Sequence, residues 1–532
     1  MNAAARVDKS APADATPTHP FDSAYDTVVV LDFGSQYTPL IARRIREAGV
    51  YSEIVPFDVD AEKLRALDPK GVVLSGSNAS VQDEDAPRLA DWLLDAGYPV
   101  LGICYGMQLV THDLGGAVGR ADRREYGPAE LEIVDRKHLL FAGCSSPSRV
   151  WMSHADKVLK PPPGFEQIAR TEGAEWAAVG RGDVSLIQFH PEVNHTECGG
   201  LILRNFVLDV CGCQPGWNAD AFIDDTVESI RRTVREAGVL LGISGGVDSA
   251  VAAALVSRAI GDRLHCIFVD TGLLRGGEVE EVELMLRNEL GLNLTTVPAA
   301  ERFMAGLASV TDPERKREFI GDEFFAVFIE EAAKLEGIEF FVQGTIYPDT
   351  IESGAAGLGS AKIKTHHNTR IPDVLDLEVI EPLRRLFKDE VRKVGLELGL
   401  PESIVWRQPF PGPGLAVRII GEITAERVLT LQAADRIYRQ EIEKEGLDRE
   451  ISQYFAALTG VRTVGVMGDS RTYGEVVALR AVSTNDFMTA DWYRIPGEVL
   501  ARISSRIVNE VPAITRVVFD ITSKPPGTIE WE

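Results

Sequence analysis

The sequence predicts an α/β protein with two doubly wound, mostly parallel-sheet domains, followed by a smaller α+β C-terminal domain. Three observations support this fold class. Short apolar runs of buried-strand length alternate with helical segments, first over residues 27–103 and again over residues 239–382. After residue 406 this alternation gives way to a Pro- and Gly-rich segment, one long helical pattern and several strands. The length of 532 residues also exceeds what a single core serves and suggests about three domains.

The first alternating series follows a tail, residues 1–25, whose Ala, Pro, Asp and Thr content predicts disorder. Its strand candidates are residues 28–32, 51–56, 71–75 and 99–103. Helices are expected from the turn at Phe33-Gly34 to about residue 47, and near residues 86–96. This alternation predicts right-handed crossovers and a site at the carboxyl ends of the strands. We assign residues 26–215 to this domain.

A candidate nucleophile, Cys104, lies at one of these strand ends. Glycines at 102 and 106 permit a sharp turn into the next helix, as in nucleophile elbows, and a helix N-terminus favours the thiolate. A later strand ends in His190-Pro191-Glu192. Cysteine, histidine and glutamate are the residue types of a nucleophile, its base and an orienting carboxylate. The alternative is an inert, buried cysteine.

The segments Gly102–Gln108, Gln188–Val193 and Val72–Gly76 together resemble the class I glutamine amidotransferases. The resemblance implies that Cys104 attacks the glutamine side-chain amide, that His190 shuttles the proton and that Glu192 holds the imidazole. It also implies an oxyanion hole formed by backbone N–H groups at Gly76 and Tyr105. The chain departs from the family's Ser-Gly-Gly-Pro at Ser77-Asn78, which predicts an altered loop geometry. By analogy His154 lies near the site, and a structural role for it stays equally open.

The second alternating series, assigned to residues 216–405, contains a candidate phosphate loop. Its strand candidates are residues 239–243, 264–270, 294–298, 339–343 and 377–382. Ser244-Gly-Gly-Val-Asp-Ser249 separates the first of these strands from an alanine-rich helix. Glycines allow a close approach of the backbone, and a helix N-terminus attracts phosphate. Because no Lys lies in the hexapeptide, it is not a Walker A loop. A purely structural Gly-Gly turn is the alternative.

The hexapeptide resembles the pyrophosphate loop of the N-type ATP pyrophosphatases, which split ATP between the α and β phosphates. The resemblance implies ATP binding by a set of nine residues: Ser244, Gly245, Gly246, Val247, Asp248, Ser249, Val269, Gly344 and Lys364. Asp248 is the candidate ligand for a Mg²⁺ ion bound with ATP, since hard cations prefer oxygen ligands. Outside its motif, Lys364 would be an ordinary solvated lysine. The family's continuation after this motif is replaced here by Thr369-Arg370, which leaves the motion of that segment open.

Residues 406–532 form the predicted C-terminal domain, which begins with the Pro- and Gly-rich segment 407–419 and ends with Ser523–Glu532. Both segments resemble the glutamine-hydrolysing GMP synthases, as do residues 343–353 and 363–368. The resemblance implies ATP-dependent amination of xanthosine 5′-monophosphate (XMP) through an adenylated intermediate, with ammonia from glutamine. It further implies a homodimer formed by this domain. The residues that it assigns to XMP are Arg275, Lys524, Thr528, Ile529 and Glu530.

The composition restricts partners and compartment. A net charge of −25 argues against nucleic acid as the main partner. Six cysteines without framework spacing, and no recognisable signal peptide, predict reduced thiols in a cytoplasmic protein, and no apolar run suggests a membrane span. Two other functions are weighed. A tRNA-thiolating pyrophosphatase is opposed by the acidic balance and the lack of Cys-x-x-Cys, and a non-catalytic nucleotide-binding regulator is opposed by the intact candidate residues.

Overall fold

The computed structural model describes residues 25–355, 371–467, 470–484, 487 and 489–532. The chain divides into two compact units between Asp225 and Thr226. The α/β class predicted from the sequence is confirmed, because the first unit is built on a mixed sheet and the second on a parallel sheet and a mostly antiparallel one.

From residue 25 onward, the first unit contains nine strands and four complete helices. The strands are β1 (Thr27–Asp32), β2 (Tyr51–Pro56), β3 (Pro69–Leu74), β4 (Val100–Ile103), β5 (Ala117–Ile133), β6 (Ser148–Lys160), β7 (Glu166–Arg170), β8 (Ala178–Arg181) and β9 (Val184–Ile187). The helices are α1 (Thr38–Glu47), α2 (Ala61–Ala66), α3 (Tyr105–Asp113) and α4 (Gly199–Asn205). A fifth helix, α5 (Ala219–Val234), begins in the first unit and ends in the second.

These nine strands form one sheet in the order β2-β1-β3-β4-β9-β8-β7-β5-β6. The pairs from β2 through β9 are parallel, as the strand–helix alternation predicts, and the remaining pairs are antiparallel. The parallel part packs on an apolar core that includes Val29, Val72 and Val100. It brings the carboxyl ends of β3, β4 and β9 to one edge of the sheet.

The helix expected near residues 86–96 is wrong, because residues 86–90 are irregular and residues 91–97 form turns. The bond from the N–H of Ala96 to the carbonyl of Leu93 spans three residues rather than four. Pro87 has no N–H to donate, and its carbonyl accepts from the Tyr105 hydroxyl at 2.6 Å instead of from a helical N–H. A tertiary contact therefore replaces the helical bond.

The second unit contains nine strands and ten complete helices among its described residues. The strands are β10 (Gly238–Ile243), β11 (Leu264–Asp270), β12 (Asn293–Pro298), β13 (Ile338–Val342), β14 (Glu378–Ile380), β15 (Gln453–Met467), β16 (Ser470–Ser483), β17 (Asp491–Trp492) and β18 (Ile514–Asp520). The helices are α6 (Val247–Ile260), α7 (Glu278–Leu284), α8 (Ala300–Gly306), α9 (Pro313–Ala332), α10 (Tyr347–Ala355), α11 (Ile371–Leu375), α12 (Lys388–Glu397), α13 (Glu402–Val405), α14 (Ala425–Lys444) and α15 (Gly497–Glu510).

Two sheets organise this unit. The order β12-β11-β10-β13-β14 is parallel throughout, whereas β16 pairs antiparallel with β15 and β17 and parallel with β18. One hydrophobic cluster joins residues of both sheets, from Leu240 and Phe341 to Val477 and Leu479. The sequence assigns these sheets to two domains, and they share one core.

In the part of the chain that the structure describes, no helix combines the length and the apolar character that crossing a bilayer requires.

Candidate active site

Cys104 lies at the junction of β4 and α3 in a strained backbone conformation. Its φ of 54° and ψ of −102° are rare for a residue with a side chain. Its N–H donates to the carbonyl of Ile187 on β9 at 2.8 Å, which fixes the turn. Gly106 is required because a Cβ there would lie 2.6 Å from the carbonyl oxygen of Leu74. The turn is the predicted elbow and presents the thiol at the sheet edge.

His190 and Glu192 follow β9 at the same edge. His190 Nδ1 and Glu192 Oε1 are 2.6 Å apart, and both side chains are buried. Burial disfavours the charged imidazole, but Glu192 and Cys104 outweigh that effect and raise the pKa of His190 well above its ordinary value. A protonated imidazole between a thiol and a carboxylate is the arrangement that stabilises a cysteine thiolate.

The two predicted oxyanion donors lie beside this group. Tyr105 begins α3 directly after Cys104, and a Cβ on Gly76 would stand 3.5 Å from His190 Cε1. The N–H of Gly106 donates to the carbonyl of Ser75 at 3.1 Å, which ties the two segments together. The structure thus brings Gly76, Tyr105, Cys104 and His190 together.

A cavity of about 430 Å³ opens on Cys104. Six of its polar lining residues are Ser77, Asn78, Gln108, Arg120, His154 and Asp156. Gln108 Nε2 donates to the carbonyl of Asp156 at 2.7 Å and so closes one wall. Arginine, carboxylate and amide groups suit a zwitterionic amino acid, and the volume is sufficient for one. The unusual residues Ser77 and Asn78 line this cavity.

Three groups around the triad are not among the site residues predicted from the sequence. Gln188 Nε2 lies 3.8 Å from the Cys104 sulfur, and the Tyr37 ring centroid lies 5.1 Å from that of His190. Glu125 Oε2 lies 3.0 Å from His154 Nε2. Burial lowers the pKa of His154 to about 4, and the charge of His190 acts in the same direction. Gln188 lies two residues before His190 of the His-Pro-Glu motif, whereas no motif marks Tyr37 or Glu125.

The predicted phosphate loop, Ser244–Ser249, lies between β10 and α6 in the second unit. Gly245 has a φ of 74°, which its lack of a Cβ permits. The Ser249 hydroxyl donates to the carbonyl of Gly246 at 3.0 Å and lies 3.3 Å from the Ser244 hydroxyl oxygen. Gly246 is the N-cap of α6, and Val247 begins the helix. The backbone N–H groups in the first turn of α6 therefore point toward the loop.

Asp248 lies in the first turn of α6 with one carboxylate oxygen paired and one unpaired. Its Oδ2 lies 2.6 Å from Lys388 Nζ at the start of α12. Its Oδ1 has no hydrogen-bond partner among the residues that the structure describes. A Cβ on Gly344 would lie 3.8 Å from the Asp248 backbone carbonyl carbon, so this predicted residue lies against the loop. Sequence reasoning missed Lys388.

Two further groups border the loop. Val269 is buried on β11, one residue after Phe268, which pairs with Ile243 at the end of β10. Arg407 Nη1 donates to the carbonyl of Gly245 at 2.8 Å. The Pro- and Gly-rich segment therefore touches the loop through its first residue. Lys364 lies outside the described residues.

Arg275 is the first of the residues assigned to XMP. It lines a cavity of about 620 Å³ together with Trp406, Arg407 and Tyr454. Burial lowers the pKa of Arg275 to about 10, although Asp435, whose Oδ2 is 3.6 Å from its Nε, opposes the shift. Nε and Nη2 of Arg275 have no hydrogen-bond partner in the described chain.

The other four residues assigned to XMP lie on an ordered C-terminal tail. Lys524 Nζ donates to the carbonyl of Phe487 at 2.8 Å, and the Thr528 hydroxyl donates to that of Glu530. Ile529 is buried in a small cluster with Phe455. None of the four lines the cavity at Arg275.

A cysteine on an elbow at the end of a parallel strand, with a hydrogen-bonded His and Glu, defines a glutamine amidotransferase of the triad type. The chain matches the class-I glutamine amidotransferase family over residues 29–210, the NAD synthase family over residues 220–319 and the GMP synthase C-terminal domain over residues 440–531. Relatives of 54–55% identity that span nearly the whole chain show that it belongs to the family of glutamine-hydrolysing GMP synthases.

Three relatives carry that family name at high identity and nearly full length. The protein of Thermomicrobium roseum is 55% identical over 97% of this chain and 98% of its own. That of Geobacillus kaustophilus is 55% identical over 95% and 99%, and that of Acetivibrio thermocellus 54% over 95% and 99%.

Proposed function

We propose that this chain makes GMP from XMP, using ATP and the amide nitrogen of glutamine, and releases AMP, pyrophosphate and glutamate. The observation that carries the proposal is the combination of an assembled Cys104–His190–Glu192 group with the loop Ser244–Ser249 in one chain of this family. Glutamine hydrolysis alone would need no phosphate loop.

In the first unit, Cys104 is proposed to attack the amide carbon of glutamine held in the 430 Å³ cavity. Charge that develops on the amide oxygen is stabilised by the N–H groups at Gly76 and Tyr105. His190 gives its proton to the leaving ammonia, and Glu192 keeps the ring oriented. Water then cleaves the thioester to glutamate, with His190 accepting its proton.

In the second unit, the XMP C2 oxygen is proposed to attack the α-phosphate of ATP, so that the bond to the β-phosphate breaks and pyrophosphate leaves. The N–H groups of Ser244–Ser249 bind the phosphates, and Lys388 and Lys364 balance their charge. Val269 and Gly344 are also proposed to contact ATP. Ammonia then displaces AMP at C2 and forms GMP.

The unpaired Oδ1 of Asp248 fits a hard cation, because a carboxylate oxygen without a donor is a favourable Mg²⁺ ligand. Asp248 would hold Mg²⁺ beside the triphosphate, where the ion neutralises phosphate charge. Arg275, Lys524, Thr528, Ile529 and Glu530 are proposed to bind XMP. Nη2 of Arg275, which has no hydrogen-bond partner among the described residues, fits an oxyanion of a nucleotide.

We also propose that residues 406–532 form a homodimer and that the enzyme works in the cytoplasm. An apolar patch on β15 and β16 supports the dimer: Val461, Val464, Val466 and Tyr473 are all exposed, Val466 to 74%. Concentration-dependent sedimentation, abolished by Val466→Asp, would support this interface. A monomer at micromolar concentration would refute it.

The decisive assay incubates the purified chain with XMP, ATP-Mg²⁺ and glutamine. We expect GMP, AMP, pyrophosphate and glutamate in equal amounts. GMP without AMP would refute the adenylated intermediate, and glutamate without GMP would reduce the protein to a glutaminase.

A further inference from the structure

Arg418 is a fully buried cation for which the proposed reaction has no role. It ends a short 3-10 turn, Gly414–Arg418, that follows the Pro- and Gly-rich segment, and its relative exposure is 0%. Its guanidinium carbon lies 4.1 Å from the Phe455 ring centroid and 5.2 Å from that of Phe410. A buried charge is costly unless it is paired, so its partner deserves a functional explanation.

That partner is Glu530 on the tail. Arg418 Nε donates to Glu530 Oε2 at 2.9 Å, and Nη2 donates to Oε1 at 2.8 Å. Gln453 Nε2 donates to Oε1 at 2.8 Å as well. The two-pronged guanidinium contact fixes the plane and the rotation of the carboxylate, which a lysine ammonium at the same place would not do.

The remaining capacity of this carboxylate points to a ligand. An ionised carboxylate offers about four lone-pair positions. Among the described residues, Oε1 accepts two hydrogen bonds and Oε2 one, which leaves one position of Oε2, and the side chain is 20% exposed. The position is fixed and negatively charged, on a side chain that is partly open to solvent. It suits a hydroxyl or N–H donor of a nucleotide.

The Pro- and Gly-rich segment links this carboxylate to Arg275. The Phe410 ring centroid lies 4.7 Å from the Arg275 guanidinium carbon and 5.2 Å from that of Arg418. One aromatic ring in a Pro-rich segment therefore contacts both buried guanidiniums. The segment thus packs against both guanidinium groups through Phe410.

We propose that Arg418 is a positioning residue for XMP: it holds the Glu530 carboxylate so that Oε2 accepts one hydrogen bond from the nucleotide. The inference rests on the proposed role of Glu530 in XMP binding. Arg418 itself does not touch the substrate.

The test uses ammonia as the nitrogen donor, so that only the second unit's reaction is measured, and compares Arg418→Lys, Glu530→Gln and the double variant. Arg418→Lys keeps the positive charge and loses the two-pronged guanidinium contact with Glu530. We expect KM for XMP to rise about tenfold, while kcat and KM for ATP stay within about twofold of the unsubstituted values. Glu530→Gln should raise KM for XMP similarly, and the double variant should add less than about twofold to it, because both changes remove the same interaction.

The matched control is Arg427→Lys. Arg427 forms the same fork with Glu475, at 2.9 and 3.0 Å, in the same unit, but that carboxylate is not on the tail. We expect its KM for XMP to stay within about twofold of the unsubstituted value. An equal rise in the control would show general loosening and overturn the proposal.

The remaining outcomes distinguish the positioning role of Arg418 from the role of Glu530 in XMP binding. If Glu530→Gln raises KM for XMP and Arg418→Lys does not, the positioning role is wrong and the Glu530 assignment stands. If neither raises it, the Glu530 assignment itself fails. Should Arg418→Lys not fold, Phe455→Leu, which removes the ring under the guanidinium, replaces it. An unchanged KM for XMP in that variant overturns the proposal.

Discussion

The two candidate centres differ in how complete they are before any ligand binds. Cys104, His190 and Glu192 are buried, His190 and Glu192 are hydrogen-bonded to each other, and a strained turn holds Cys104. The loop Ser244–Ser249 is partly exposed, its hydroxyls contact each other, and its carboxylate pairs with Lys388. The difference reflects the chemistry. A nucleophile must be activated in advance, whereas a phosphate site can have its charges completed by the incoming triphosphate and cation.

The largest expected effect tests whether the first centre acts alone in releasing ammonia. We expect Cys104→Ala to reduce glutamine-dependent GMP formation by about 10⁴-fold or more, because the variant lacks the proposed nucleophile. Synthesis from added ammonia should persist within about threefold. Cys198→Ala, another buried cysteine of the same unit, is the control and should keep both activities. Loss of the ammonia-dependent rate in Cys104→Ala would contradict the division of labour.

The second test concerns the unpaired oxygen of Asp248. Asp248→Asn removes the carboxylate charge, and we expect pyrophosphate release from ATP and XMP to fall about 10³-fold. Glutamine hydrolysis should be retained. The exposed Asp262 in the same unit serves as control through Asp262→Asn. A normal rate in Asp248→Asn, measured as pyrophosphate, would mean that the loop binds ATP without this carboxylate.

The third test addresses the preassembly of the first centre. Glu192 raises the pKa of His190, so Glu192→Gln should lower that pKa. The protonated ring is needed to release ammonia, and it would lose its proton at a lower pH. We therefore expect the alkaline limb of the glutaminase pH–rate profile to move down by about one pH unit, with a loss of rate of about 10²-fold.

The control for this shift is Glu197→Gln, an exposed carboxylate in the same loop that contacts Arg149 instead of the imidazole. Its pH profile should match that of the unsubstituted enzyme. A profile that Glu192→Gln leaves in place would show that the imidazole titrates independently of Glu192.

The fourth test, with the mildest expected loss, concerns Lys388 beside the loop Ser244–Ser249. Lys388 pairs with Asp248, and we expect it to turn to the phosphates when ATP binds. Lys388→Met should raise KM for ATP about tenfold. Lys393→Met, on the same helix and exposed, provides the matched control. An unchanged KM for ATP would leave Lys388 as a structural partner of Asp248 only.

The sequence predicted what local motifs and periodicity encode. Three motifs lie at strand ends as expected: the elbow at Cys104, the His-Pro-Glu segment and the loop Ser244–Ser249. Each is a short segment, so its local sequence determines its backbone geometry. Parallel strands such as residues 264–270 were predicted with their observed bounds, since a buried strand is a continuous apolar run.

Groups that reach a centre from distant segments could not be predicted in the same way. Lys388 meets Asp248 across 140 residues, and Glu125 meets His154 through the pairing of β5 with β6. These strands were not predicted at all. Their polar, alternating residues give a weaker signal than an apolar run, and the contact exists only once the hairpin register is set.

The shared core of the second unit has a consequence for cooperativity. One hydrophobic cluster runs from the five-stranded sheet to the four-stranded sheet, and the buried Lys316 of α9 donates to the carbonyl of Ile419 at 2.7 Å. Cutting the chain at residue 405 would expose apolar surface on both fragments. We therefore expect the two sheets to melt in a single transition, so that the nucleotide-activating region and the tail that faces its substrate are present together or lost together.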